Sequence, residues 1–168
     1  MTRPANGPLS RVVNVERLPK DRAEVTVEAS PEECAALARE FGIPAIRDLV
    51  GRFRLAGSPA RLQVGGTVEA MVTQVCTVSL EPFEAPVGEA VEVAFTSQDM
   101  LAGTDAEDVE LPDPIVNGRI DFGALTAEFL ALGLDPYPRK PGISFEPVAA
   151  GEEEKPLASL HRLLPREP

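Results

Sequence analysis

Residues 117–142 read NGRIDFGALTAEFLALGLDPYPRKPG, and the rest of the chain is organised around this stretch. Asp121 is placed to cap a helix, its carboxylate accepting from the free N–H groups of the first turn. Phe122, Leu125, Phe129 and Leu132 then recur at helical spacing, and Leu130 and Leu134 broaden the stripe, which must face a core. Gly133 loosens the last turn. Pro136, Pro138 and Pro141 forbid further helix, because each removes a donor and fixes φ, so the helix is predicted to stop near Asp135.

Working outward, Ser30-Pro31-Glu32-Glu33 is a capping box with proline at the first helical position, which predicts a helix running to Gly42. Before it, Arg11 to Glu16 and Arg22 to Ala29 read as two strands of a hairpin turning at Leu18–Arg22. After it, strands are predicted at Ile46–Leu55, Ala60–Val64, Thr67–Leu80 and Ala85–Thr96. Gly65-Gly66 reads as a two-residue hairpin turn and Leu80–Glu84 as the next turn. Val91, Val93 and Phe95 alternate with Glu92 and Ala94, which buries one face only. Gln98–Pro114 reads as an acid-rich loop. The expected fold is α+β: an antiparallel, strongly twisted sheet, able to curl toward a barrel, with the helices Ser30–Gly42 and Asp121–Leu134 packed on it. Residues 1–8 are expected to form a flexible leader, 9–146 a single domain, and 147–168 a linker with a short amphipathic tail. Leu157, Leu160, Leu163 and Leu164 give that tail an apolar stripe, and docking on its own domain is weighed above partner binding.

The 168 residues suit one core, with 43% apolar residues. Aromatics are only 5% with no Trp, which argues against base-stacking platforms, and a net charge of −11 argues against phosphate binding by the whole body. Charge is also unevenly spread. Residues 1–65 hold ten Lys/Arg against eight Asp/Glu, whereas residues 66–110 hold ten acids and neither Lys nor Arg. Such a field speeds association with a basic protein, although an acidic face that only keeps the chain soluble is as good a reading.

Catalytic and metal constellations are missing from the sequence. His161 is the one histidine and lies in the tail, so no Ser-His-Asp or Cys-His pair can be drawn. Cys34 follows Glu32 and Glu33, which oppose thiolate formation, and reads as a small buried thiol. Cys76 stands alone, because Ser79 occupies the place that would complete a C-x-x-C pair. Residues 105–110 lack the glycine and spacing of a calcium loop, and Gly65-Gly66 has no following Lys-Ser/Thr. No enzyme activity, metal or cofactor is therefore expected. The start of the chain shows no apolar signal core and no run long enough to span a bilayer, so a cytoplasmic protein with reduced thiols is expected, without membrane partners.

Residues 22–30 (RAEVTVEAS), 68–95 (VEAMVTQVCTVSLEPFEAPVGEAVEVAF) and 120–142 together resemble the YceD family, named for accumulation of large-subunit ribosomal RNA, in its alphaproteobacterial form lacking the Cys pairs. DPYPRKPG at the end of the helix is the most specific part. The positions that carry the family motif are Cys76, Asp121, Glu128, Asp135, Pro136 and Arg139. The resemblance implies a non-catalytic factor in large-subunit ribosome biogenesis. Many members of the broader family carry two C-x-x-C pairs; here Ser79 replaces the second Cys of the first pair, and Tyr137–Gly142 stands where the later pair is expected. Prolines at that exit can constrain the chain in place of a metal.

Two modes of action follow. In one, the acidic segment, with Glu81, Glu84, Glu89 and Glu92 as candidate contacts, engages a basic ribosomal protein or a protein-covered patch of a large-subunit precursor. In the other, Arg47, Arg52, Arg54, Arg61, Arg139 and Lys140 converge on ribosomal RNA. The protein partner is weighed above RNA, because the summed field repels phosphate.

Overall fold

The computed structural model describes residues 7–19, 23–97 and 112–144. Among these, β1 (Val12–Asn14), a 3-10 turn (Val15–Arg17), β2 (Ala23–Glu28), α1 (Pro31–Phe41), β3 (Ala45–Ser58), β4 (Arg61–Val75), β5 (Pro82–Ser97), β6 (Asp113–Ile115), β7 (Arg119–Asp121) and α2 (Phe122–Gly133) follow in order. The main sheet runs β2-β3-β4-β5-β6. It is antiparallel except for β5–β6, and it is open, so the curl toward a barrel that the sequence allowed does not close it. A second sheet pairs β1 with β7.

Three long strands dominate, and alternation explains their burial. Phe53, Leu55, Val64, Val68, Val72, Val91 and Phe95 point to one side, where they join Cys34 and Leu37 of α1 and Phe122, Leu125 and Leu130 of α2 in one core. The opposite side of the sheet carries Glu24, Thr26, Arg52, Arg54, Thr67 and Glu92, and among the described residues no helix covers it. Asp48, with φ of 55°, sits where the β3–β4 register shifts between Arg47 and Val50.

Both predicted helices form. The Ser30 hydroxyl accepts from the Glu33 amide, the Glu33 carboxylate accepts from the Ser30 amide, and Gly42 closes α1 in the left-handed conformation. Asp121 caps α2 by accepting from the amides of Gly123 and Ala124.

Four expectations need correction. Gly65-Gly66 is not a turn: β4 runs straight through it, and the chain reverses at Pro59-Ala60, just after Gly57 with φ of 106°. A side chain on Gly66 would collide with the Arg52 carbonyl oxygen, so close strand approach is what requires glycine there. The second correction concerns the first two strands, which do not form a hairpin. β1 leaves β2 for β7 because the Arg11 amide donates to Asp121 and the Phe122 amide donates to the Arg11 carbonyl, while the Arg11 guanidinium grips Glu33 through two bonds of 2.7 and 2.8 Å.

Third, α2 is rotated relative to its large apolar residues. Phe122, Gly123, Leu125, Thr126 and Leu130 are buried, Phe129 is half-buried, and Leu132 is 74% exposed. The helix start abuts the backbone of Ser10 and Arg11 at Gly123, and the Thr126 hydroxyl, bonded back to the Phe122 carbonyl, fits over Gly51. Small residues thus let the helix approach, and a stripe of large residues does not report them. Last, the end of the expected acid-rich loop is ordered as β6, whose Asp113 and Pro114 lie parallel to Phe95 and Thr96. Residues 98–111 and 147–168 lie outside the described residues.

Candidate functional site

The helix-free side of the sheet gathers the charged residues singled out from sequence. Alternation along β3 and β4 places Arg47, Arg52, Arg54 and Arg61 on this side. Gly65 and Gly66 contribute no side chains there, and an open groove of about 500 Å³ lies over them, flanked by Arg52, Arg54, Thr67 and Glu92.

Three of these arginines are tied to carboxylates. Arg47 reaches both oxygens of Glu84, at 2.9 and 3.1 Å, and also Asp48 at 2.9 Å. The hydrogen bond from Arg47 is the main reason that the Glu84 pKa lies below its ordinary value. Arg52 pairs with Glu69 at 2.8 Å and Arg54 with Glu24 at 3.6 Å. Such exposed pairs add little to stability, but they cancel the local field a phosphate would meet. Arg61 stands at the opposite end of β4 from Arg139 and Lys140, roughly 45 Å along the strand at ~3.3 Å per residue. The six basic candidates therefore do not share one compact patch.

The acidic candidates also divide. Glu81 pairs with Lys140 at 2.9 Å and Glu84 with Arg47. Glu92 is exposed on the helix-free side opposite Gly65, whereas Glu89 lies on the helix side against Gly133.

The family-motif positions meet at two places. Asp121 ties the chain start to α2: its carboxylate accepts from the Ser10 hydroxyl at 2.6 Å, the Arg11 amide at 2.7 Å and the two capping amides. Burial pushes its pKa up, but the bonds from Ser10, Arg11, Ala124 and Gly123 outweigh this and hold it below the usual value. Glu128 is exposed on α2, off the buried face.

Cys76, Asp135 and Pro136–Lys140 form a clasp between the β4–β5 turn and the exit from α2. The Thr77 amide donates to the Pro138 carbonyl at 2.8 Å, and buried Gln74 donates to the Asp135 carbonyl at 3.0 Å. The Asp135 carboxylate accepts from the Tyr137 amide, which turns the exit back toward the sheet. At the centre, the Cys76 sulfur accepts from the amides of Lys140 at 3.3 Å and Ser79 at 3.5 Å. The Lys140 amide, then the hydroxyl and amide of Ser79, pull the thiol pKa down to about 6, against a smaller opposing effect of its burial. Cys34 behaves oppositely, its pKa raised chiefly by burial. Gln74 and Thr77 were not singled out from sequence; a polar residue at an inward position of β4 was the available signal for Gln74.

The model of the YceD family, described as large ribosomal RNA subunit accumulation protein YceD, matches residues 64–160, more than half of the chain. The chain belongs to the YceD family. No curated protein and no solved structure matches it. The matched span contains the clasp. The metal that Cys pairs at these places would imply does not fit the residues present here. Only Cys76 offers a ligand of the right type, its sulfur is engaged by two amides, and no group of three or more His, Cys, Asp or Glu suited to a metal occurs among the described residues. In this YceD protein hydrogen bonds hold the junction. No helix among the described residues is long and apolar enough to cross a membrane.

Proposed function

We propose that this YceD protein is a non-catalytic, cytoplasmic factor of large-subunit ribosome biogenesis that supports processing or accumulation of large-subunit ribosomal RNA by binding a basic protein partner through its acidic surface. The family carries the process. One observation favours a protein partner over RNA: the β3 arginines on the helix-free face, Arg47, Arg52 and Arg54, are each engaged by a carboxylate, on a chain of net charge −11. A phosphate would have to displace those carboxylates against a repulsive field. Reversing Glu81, Glu84, Glu89 and Glu92 to Lys should slow association with a basic large-subunit protein and weaken its salt dependence. Unchanged rates would refute this reading.

A second reading, direct binding of ribosomal RNA, draws support from the placement of Arg47, Arg52, Arg54 and Arg61 on one side of the sheet. It requires gel-shift affinity that falls on Arg-to-Ala substitution there. Affinity indifferent to those changes rules it out.

A further inference from the structure

We propose that the outward edge of β5, from Val87 to Ala94, receives an extended basic segment of the protein partner as an added strand, a binding mode that rests on the protein-partner reading above. β5 pairs with β4 along its length, but on its other side it pairs with β6 only at Phe95–Ser97. Among the described residues no other main-chain bond reaches that edge. Unpaired edges are templates for strand addition, and proteins that keep one exposed defend it or use it.

Pro82 and Pro86 fix the geometry. Neither has an N–H to give, and proline is tolerated in a sheet where the missing donor faces outward. In an antiparallel strand the N–H and C=O of one residue point to the same side. Residues of the same parity, Gly88, Ala90, Glu92 and Ala94, therefore direct their main-chain groups away from β4. The prolines guard the first part of the edge, and the open stretch begins at Val87.

Charge selects the occupant. Glu89 and Glu92 lie on opposite sides of β5, so a partner resting on one face of the sheet meets only one of them. An added strand sends alternate side chains to both sides and reaches both, with Lys or Arg as the complementary residues. A second copy of this chain is disfavoured at the same edge, because β5 carries glutamates and neither Lys nor Arg to complement them.

The test uses a synthetic peptide of repeated Lys-Lys-Val-Val, which presents lysine on both faces of an added strand, and the same peptide N-methylated at successive amides, which keeps the charge but leaves neither edge able to pair. The unmodified peptide is expected to bind about tenfold more tightly than the methylated one and to protect the amides of Gly88, Ala90 and Glu92 from hydrogen exchange. Glu89→Lys with Glu92→Lys should weaken binding by a further factor of about ten, and Ala90→Pro should do the same while leaving the β4 pairing intact. Should Ala90→Pro disturb the fold, the charge-reversed variant decides. Equal binding of both peptides, absent protection, or protection already complete in the free chain would overturn the proposal. A basic large-subunit protein captured equally by the wild type and both variants would overturn the edge but leave the partner reading in place. A peptide that adds as a strand although no such protein is captured would support the edge and count against that reading.

Discussion

Phe122→Ala is the substitution that most sharply tests how α2 sits on the sheet. Phe122 has no exposed surface, and its ring lies 5.2 Å from that of Phe53, itself 1% exposed, at 49°. Truncating a buried phenylalanine costs about 3–5 kcal/mol through lost transfer energy and the cavity left behind, and a tilted aromatic pair accounts for about 0.5–1.5 kcal/mol of such a loss. Phe129 is half-buried, so Phe129→Ala should cost about half as much, and Leu132→Ala, at a site 74% exposed, within about 0.5 kcal/mol of nothing. Urea unfolding at fixed temperature reads all three, and a cycle with Phe53→Ala isolates the ring pair. If Phe129→Ala or Leu132→Ala destabilised as strongly as Phe122→Ala, the helix would present the face its large apolar spacing suggests, and the packing through Gly123 and Thr126 would be wrong.

Gly66→Ala should cost about 1–3 kcal/mol or more in chemical denaturation, because the new methyl meets the Arg52 carbonyl, whereas Gly65→Ala, with nothing closer than 3.8 Å, should be near neutral; equal effects would contradict a continuous β4. Cys76→Ala should speed hydrogen exchange of the Lys140 and Ser79 amides, while zinc or a chelator leaves the melting of the wild type unchanged; a zinc-dependent melting temperature would contradict a clasp held by hydrogen bonds. Thiolate absorbance from Cys76 should be present at neutral pH and fall as pH drops through about 6, with no such step in Cys76→Ala. Asp121 and Glu33 both have folded pKa values below their ordinary ones, so their contribution to stability is full above the ordinary carboxylate range and is lost as pH falls through the depressed values. Asp121→Asn should therefore flatten the acid limb of stability against pH, and an unchanged limb would show that the cap is not responsible.

Much of this fold is legible in the residues that punctuate it. Ser30, Glu33, Gly42 and Asp121 announce both helices, because caps act locally and need no knowledge of the tertiary structure. The pairing of β1 with β7 is not legible, since it depends on bonds joining Ser10 and Arg11 to Asp121 across more than a hundred residues. Gly65-Gly66 misleads for a related reason: the same absence of a side chain serves a hairpin turn or a close approach of strands, and only the Arg52 carbonyl decides between them. Of the candidate site, the acidic run and the arginines on β3 are plain in the sequence. Their mutual neutralisation through Glu24, Glu69 and Glu84 is set by strand register. The clasp was half visible, as an isolated Cys76 and a proline-rich exit, while the bonds that join them appear only when the β4–β5 turn and the end of α2 are brought together.

The most direct test of the account is affinity capture of the tagged chain from a lysate of its own cells, with and without ribonuclease, as salt is raised. A basic protein of the large subunit that stays bound after ribonuclease and is released by salt is the predicted result. Large-subunit RNA as the sole companion, lost on digestion with no basic protein remaining, would contradict it.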